Sequence, residues 1–252
     1  MEPILSVAEQ VTALDASGRA LAAAAAEAGF DATVPTCPGW QVRDLLRHTA
    51  MVHRWAAGFV TEGHTSYRPE GGETQLDGAE LLAYFREGHA ALVDALGKAP
   101  ADLECWTFLP APSPLAFWAR RQAHETEVHR ADAESALPGG PRPVAAGLAV
   151  DGVDELLRAF HGRSYSRVRS ETPRVLRVRA TDTGDVWTVR LSPDAAPDTV
   201  RDDDGPADCT LSGPASQLYL LLWNRLPADA VDVSGDASLA ALWREHSAIT
   251  WS

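Results

Sequence analysis

The sequence predicts two domains of different class, an N-terminal four-helix bundle followed by a small α+β domain. Three observations support this fold class. The first half carries four long stretches of helical periodicity, the second half alternates helical with strand-like stretches, and a segment rich in proline and glycine separates them. In that segment, residues 137–143, five positions are Pro or Gly, which stop one helix and disfavour another. We therefore place the domains at residues 1–137 and 144–252.

Four helices account for most of the first half. In the second helix, apolar residues such as Leu45, Val52 and Phe59 recur at helical spacing. The fourth begins at Ser113-Pro114, where a capping serine precedes a proline at the first helical position. Four connected helices of this length predict a bundle. They are expected at about residues 4–28, 40–59, 79–96 and 113–136.

The second half is expected to open with a helix at about residues 144–160. Residues 175–180 and 186–191 then alternate apolar and polar side chains around Asp182-Thr183-Gly184-Asp185, which predicts a β-hairpin. Short strands at about 208–211 and 230–233 and helices at about 214–226 and 238–247 complete a small α+β domain.

Composition and charge exclude several function classes. The chain carries 22 basic and 35 acidic residues, a net charge of −13, and a surface this negative repels the phosphates of nucleic acids. No stretch has the length and hydrophobicity of a membrane span or an export signal. Cys37, Cys105 and Cys209 are isolated from one another, which fits a reducing compartment. We expect a cytoplasmic monomer that acts on small molecules, with neither nucleic acid nor membrane as a partner.

The fourth helix contains the most informative polar residues. Glu125 and His129 are four residues apart, so they share one helix face and can bind a single divalent ion. His124 and His129 are five apart, so this is not the H-E-x-x-H pattern of zinc proteases. A solvated helix face is the alternative interpretation of the same spacing.

A third ligand would have to come from another helix. The second helix offers His48 and His53, which lie on different faces of it, and either could equally be a packed core histidine. His64 and His89 are weaker candidates, one in or near a loop and one on the third helix. Helical periodicity alone does not choose among these four residues.

Two segments of the N-terminal half resemble motifs of a known family. Residues 34–48, V-P-T-C-P-G-W-Q-V-R-D-L-L-R-H, resemble the opening motif of the mycothiol-dependent maleylpyruvate isomerase family. Residues 120–130, R-R-Q-A-H-E-T-E-V-H-R, resemble its second motif. Residues 209–226 and 233–236 are similar to its C-terminal domain, so the resemblance covers nearly the whole chain in the right order.

The resemblance implies a bundle of the DinB type followed by a domain similar to sterol carrier protein type two. It also implies a divalent metal, with zinc as the expected ion, bound by His48, Glu125 and His129. His53 and His124 are then left with supporting or structural roles, and no role for Cys37 follows. The implied thiol cofactor is mycothiol, and the implied substrate is a small molecule similar to maleylpyruvate.

Such a metal site fits the chemistry of a thiol-using enzyme. Three protein ligands leave one position of a tetrahedral ion open, as in catalytic zinc sites. A thiol in that position binds as thiolate, because the cation lowers its pKa below the free value of about 8.5. The thiolate could add to a conjugated carbon and leave again, which isomerises the substrate, or it could be transferred permanently to an electrophile. The ligand set does not distinguish isomerase from transferase.

Arginines are the candidates for substrate recognition. A dicarboxylate is best bound by arginine, and Arg225 in the Trp-Asn-Arg of the C-terminal motif is our candidate catalytic residue. Arg86 on the third helix is a weaker candidate. Seven arginines between residues 158 and 179 are expected to form solvated surface.

A non-enzymatic alternative stays open at this stage. The chain could be a carrier of apolar ligands through its C-terminal domain, or a metal-bearing regulatory protein. Metal content together with thiol-dependent turnover separates these classes, because a carrier needs neither.

Overall fold

The computed structural model describes residues 4–203 and 205–249. The chain divides into two compact units, Met1–Arg142 and Pro143–Ser252, at a point inside the proline- and glycine-rich segment. Within the described ranges, no helix combines the length and hydrophobicity needed to cross a membrane.

The first unit is a four-helix bundle, which confirms the predicted class. Ser6 begins α1 with a capping box to Glu9, and Ser113 caps α4 through a bond from the backbone N–H of Ala116, 3.2 Å away. Leu45, Leu46 and Phe85 are fully buried in the core. The four helices are α1 (Val7–Ala28), α2 (Val42–Glu62), α3 (Gly78–Lys98) and α4 (Pro114–Ser135).

Helix α4 is buried on all sides from Leu115 to Glu134, although its sequence is rich in charge. Ion pairs between its own residues compensate part of this burial, since Nη2 of Arg130 lies 2.7 Å from Oε1 of Glu127. The hydroxyl of Ser17 on α1 donates to Oε2 of Glu127 at 2.6 Å. The alternative interpretation of α4 as a solvated face is therefore wrong, because these charges are paired inside the protein.

A closed loop precedes α2 and explains why that helix begins at Val42 and not at Trp40. Two backbone bonds cross it at 3.0 Å, from Val34 N–H to the carbonyl of Trp40 and from Trp40 N–H to that of Cys37. Pro38 and Gly39 are the central residues of the second turn, and Gly39 has φ +88°. These are the positions that a type II turn gives to proline and glycine. We call residues 33–41 the 33–41 loop.

The second unit is an α+β domain around a five-stranded mixed sheet of order β3-β2-β1-β4-β5, as the predicted class requires. Strands β1 and β4 are parallel, and the other neighbours are antiparallel. The strands are β1 (Arg174–Ala180), β2 (Val186–Leu191), β3 (Asp198–Arg201), β4 (Cys209–Gly213) and β5 (Asp232–Gly235). The helices are α5 (Ala146–Asp154), which continues as a π-helical turn (Glu155–Phe160), α6 (Ala215–Leu222) and α7 (Ser238–His246), with a short 3-10 turn at Ala228–Ala230.

Three local expectations for this unit need correction. Strand β3 was missed, because Asp-Thr-Val-Arg is too short to show a hydrophobic pattern and is half-buried or exposed. Helix α6 ends at Leu222 and not at Leu226, because the chain turns through Asn224, whose φ is +62°. The arginine-rich stretch is only partly solvated, since Arg177 is buried and donates to the carbonyl of Gly205.

Candidate metal centre

Three side chains of α2 and α4 meet in the first unit. His48 belongs to α2, whereas Glu125 and His129 lie one turn apart on α4. Oε1 of Glu125 is 3.5 Å from Nε2 of His48 and 3.1 Å from Nε2 of His129. The two imidazole rings stand edge to face with their centroids 5.2 Å apart. Each residue offers one ligand atom, and the three atoms lie within 4.8 Å of one another, so the group could hold a metal ion.

The donor atoms fit a divalent transition metal. Two imidazole nitrogens and one carboxylate oxygen suit zinc, and such a set of three leaves a tetrahedral ion one open position. The side chain of His48 is 14% exposed, and those of Glu125 and His129 are each 10% exposed. The site is therefore largely shielded from water, which strengthens electrostatic interactions within it.

Neighbouring charges set the ionisation of the two residues on α4. Burial raises the pKa of Glu125, but hydrogen bonds from His129 and His48 and the charge of Arg121 outweigh it, so this pKa lies well below its usual range. Burial lowers the pKa of His129, but its bonds to Asp132 and Glu125 prevail and raise it to about 9. The carboxylate of Glu125 is thus held in the ionised form that a metal ligand needs.

A second carboxylate supports His129 from its other side. Oδ2 of Asp132 lies 2.9 Å from Nδ1 of His129, one turn further along α4. Asp132 was not among the site residues predicted from the sequence. Its spacing of three residues from His129 was a usable signal, because residues three apart share a helix face.

The remaining histidines are not part of this cluster. His53 is fully buried, its Nε2 lies 2.9 Å from the hydroxyl of Thr126, and burial holds its pKa well below the usual value. His124 and His89 are buried in the bundle as well, and His64 lies 2.8 Å from Glu62 at the end of α2. Of the two histidines on α2, His48 is the one whose side chain meets Glu125 and His129 of α4.

The two candidate arginines lie elsewhere in the chain. Arg225 belongs to the second unit, in the turn after α6, where Nη1 donates to the carbonyl of Trp223 at 2.8 Å. Its contribution to catalysis stays a prediction. Arg86 is exposed on α3.

None of the three cysteines forms a disulfide. Burial raises the pKa of the Cys105 thiol and of the Cys209 thiol, which disfavours the reactive thiolate form of both. Cys37 is half-buried in the 33–41 loop.

Comparison with known families agrees with this architecture. The model of the mycothiol maleylpyruvate isomerase N-terminal domain matches residues 11–134, and that of the family's C-terminal domain matches residues 147–242. The chain belongs to the mycothiol-dependent maleylpyruvate isomerase family. No curated protein sequence matches it significantly.

Solved structures show the same fold. The crystal structure of a mycothiol-dependent maleylpyruvate isomerase is similar with a TM-score of 0.63 at 14% identity, over 91% of this chain and 93% of that one. A mutant of that isomerase with a histidine changed to alanine gives the same values. At this identity the likeness establishes the fold and leaves the reaction open.

A third structure resembles part of the chain. The ubiquinone synthesis protein UbiJ-SCP2 is similar over 40% of this chain and 93% of its own, with 25% identity and a TM-score of 0.30. A TM-score this low carries no argument about the fold, so the likeness of the second unit to sterol carrier protein type two rests on the sequence motifs alone.

Proposed function

We propose that this protein is a metal-dependent enzyme that uses mycothiol to isomerise a maleylpyruvate-like substrate or to transfer the thiol to an electrophile. The observation that carries the proposal is that the side chains of His48, Glu125 and His129 meet within 4.8 Å of one another. All three lie in the part of the chain that matches the family's N-terminal domain. A cytoplasmic monomer that acts on a small molecule and a thiol belongs to the same proposal.

The residues of the centre have separate tasks in this proposal. His48, Glu125 and His129 would hold the ion, and a zinc ion there would supply an open position that lowers the pKa of a bound thiol and keeps it as thiolate. Glu125 carries the charge that partly neutralises the cation, while Asp132 orients His129 through Nδ1. The low exposure of the three side chains limits competition by water.

Metal analysis tests the ligand assignment. Protein purified without a polyhistidine tag should contain one divalent ion per chain. His48→Ala and Glu125→Ala should each lose most of it, because two remaining ligands bind a divalent ion poorly. His53→Ala is the matched control, since it removes a buried histidine of the same helix and should leave the metal in place, with some loss of stability. Full occupancy in His48→Ala and Glu125→Ala would show that the ligand assignment is wrong.

Calorimetry tests the thiol. Mycothiol titrated into metal-loaded protein at neutral pH should release a proton, because a thiol with a free pKa of about 8.5 binds as thiolate. Comparison of two buffers with different ionisation enthalpies measures that proton. S-methylated mycothiol is the matched control ligand and should release none. Equally strong binding of mycothiol to metal-free protein, or binding without proton release, would favour a hydrolase or a plain binding protein.

A further inference from the structure

The 33–41 loop contacts His48 directly through Trp40 and reaches His129 through Asp132 of α4, although none of the three candidate ligands belongs to it. We propose that this loop positions the metal ligands, with Thr36 and Asp132 fixing His129 and with Trp40 fixing His48. This role depends on the proposed metal site. It gives a function to residues 34–41 of the opening motif, none of which is a candidate ligand.

The loop is rigid enough for this task. A bridge between Thr33 and Gln41 closes its base, and two successive tight turns fold the residues between them. The side chain of Val34 is 2% exposed and belongs to the hydrophobic core of the bundle, against which Cys37 and Trp40 also pack. A closed loop that packs against the core on one side holds the side chains on its other side in fixed places.

Thr36 and Asp132 form a chain of hydrogen bonds that ends on His129. The hydroxyl of Thr36 donates to Oδ1 of Asp132 at 2.6 Å, and Oδ2 of the same carboxylate lies 2.9 Å from Nδ1 of His129. An ionised carboxylate only accepts hydrogen bonds, so Nδ1 of His129 carries the proton in this pair. Nε2, the atom that faces Glu125, is then the nitrogen that can exchange its proton for a metal ion and give the ion its lone pair. Thr36 therefore holds the carboxylate that determines which nitrogen of His129 is available to a metal.

Trp40 restricts the second imidazole. Its ring centroid lies 5.2 Å from that of His48, with the planes inclined by 58°. The centroid of the His48 ring also lies 5.2 Å from that of His129, so His48 contacts two rings. Packing of this kind limits rotation of the imidazole about its side-chain bonds, which lowers the entropy lost when a ligand geometry is imposed.

The zinc dissociation constant, measured by competition with a chromophoric chelator, tests this role. Thr36→Val and Asp132→Asn should weaken zinc binding about 10- to 100-fold, the usual effect of removing a partner of a metal-binding histidine. Thr36→Ser keeps the hydroxyl and should bind zinc nearly as tightly as the wild type. Trp40→Leu should weaken binding, and Trp40→Phe should restore much of it.

A matched control separates positioning from the general cost of a lost hydroxyl. Thr188 in the second unit is buried, and its hydroxyl also donates at 2.6 Å, to a backbone carbonyl, so Thr188→Val should lower stability without changing zinc affinity. If Asp132→Asn does not fold, the Thr36→Val and Thr36→Ser pair still decides, because Thr36 is only half-buried on a loop.

Proton NMR of the metal-free protein gives a readout that needs no metal. The Nδ1 proton of His129 should appear as a slowly exchanging downfield signal, identified by its loss in His129→Gln. Thr36→Ser should keep the signal, whereas Asp132→Asn should move it upfield, because a neutral amide oxygen accepts a weaker hydrogen bond than a carboxylate.

The outcomes for the loop and for the metal site are distinguishable. Tight zinc binding by the wild type, by Thr36→Val and by Asp132→Asn alike would overturn the positioning role and leave the metal site intact. A wild-type chain that binds no divalent ion would overturn the proposed function and, with it, the task assigned to the loop.

Discussion

His161 illustrates how the surroundings of one residue link protonation to folding. It is 3% exposed in the second unit, its ring lies edge to face with that of Trp243 at 4.7 Å, and Nδ1 is 3.0 Å from the hydroxyl of Ser166. Burial, together with the positive charges of Arg163 and Arg167, lowers the pKa of His161 to about 4. The folded protein therefore keeps this imidazole neutral well below the pH at which the unfolded chain protonates it.

We expect His161 to destabilise the fold in mild acid. The unfolded chain binds the proton near pH 6.5 and the folded chain only near pH 4, so stability falls as the pH drops through that window. From pH 7 to pH 5 the loss should be about 2 kcal/mol. His161→Gln should remove this share of the pH dependence in urea unfolding and leave the share of the buried His53. His246→Gln, which changes a half-buried histidine of the same unit, should leave the share of His161 in place. An equal loss of stability in wild type and His161→Gln would contradict the assignment.

The histidines of α2 show what sequence reasoning could and could not resolve at this scale. The spacing of Glu125 and His129 was sufficient to predict a shared helix face. The choice between His48 and His53 was not accessible from periodicity, because both lie among apolar residues of the same helix. What separates them is contact with other helices, since His48 faces Glu125 and His53 packs on Phe85 of α3. The family motif supplied that tertiary information.

At the scale of elements, regular patterns were predictable and closed loops were not. The four long helices and the hairpin of β1 and β2 follow from hydrophobic periodicity over many residues. Strand β3 and the 33–41 loop have no such period. Pro38-Gly39 indicated a break before α2, but the pattern could not show that this break is a turn lying beside the ligands.

Gly39 makes that turn possible, and its replacement should be costly. Its φ of +88° is unfavourable for any residue with a Cβ, although a Cβ there would meet nothing within 4 Å. Gly39→Ala should therefore cost about 1–2 kcal/mol through the backbone alone. Gly58→Ala is the control, because Gly58 lies inside α2 with equally open space, and alanine should stabilise that helix by about 0.5–1 kcal/mol. Chemical denaturation measures both, and an unchanged midpoint for Gly39→Ala would contradict the turn.

At the scale of the whole molecule, the sequence predicted two domains of different class in the right order. Hydrophobic periodicity could not show which residues far apart in the chain act at the same site, because it describes one helix or strand at a time. The link between the metal centre of the first unit and Arg225 of the second rests on the motifs of one family. That link is nevertheless open to a kinetic test, because the two sites can be changed separately.

Arg225→Gln should reduce turnover and leave metal content unchanged. The residue follows a turn in which its backbone N–H donates to Leu220 at 2.7 Å and its Nη1 donates to Trp223 at 2.8 Å, so its guanidinium has a defined place. If it binds a substrate carboxylate, loss of a charged hydrogen bond worth about 1.5–3 kcal/mol should lower kcat/KM by about 10- to 100-fold.

Two further variants make this test specific. Arg225→Lys keeps the charge and loses the planar fork, so partial recovery would indicate that charge matters more than geometry. Arg244→Gln is the matched control, because Arg244 also donates to a backbone carbonyl of the second unit, that of Leu226 at 2.9 Å, and its loss should leave kcat/KM unchanged. Unchanged kinetics in Arg225→Gln would remove this arginine from the mechanism and favour a site confined to the bundle, because all three candidate ligands lie there.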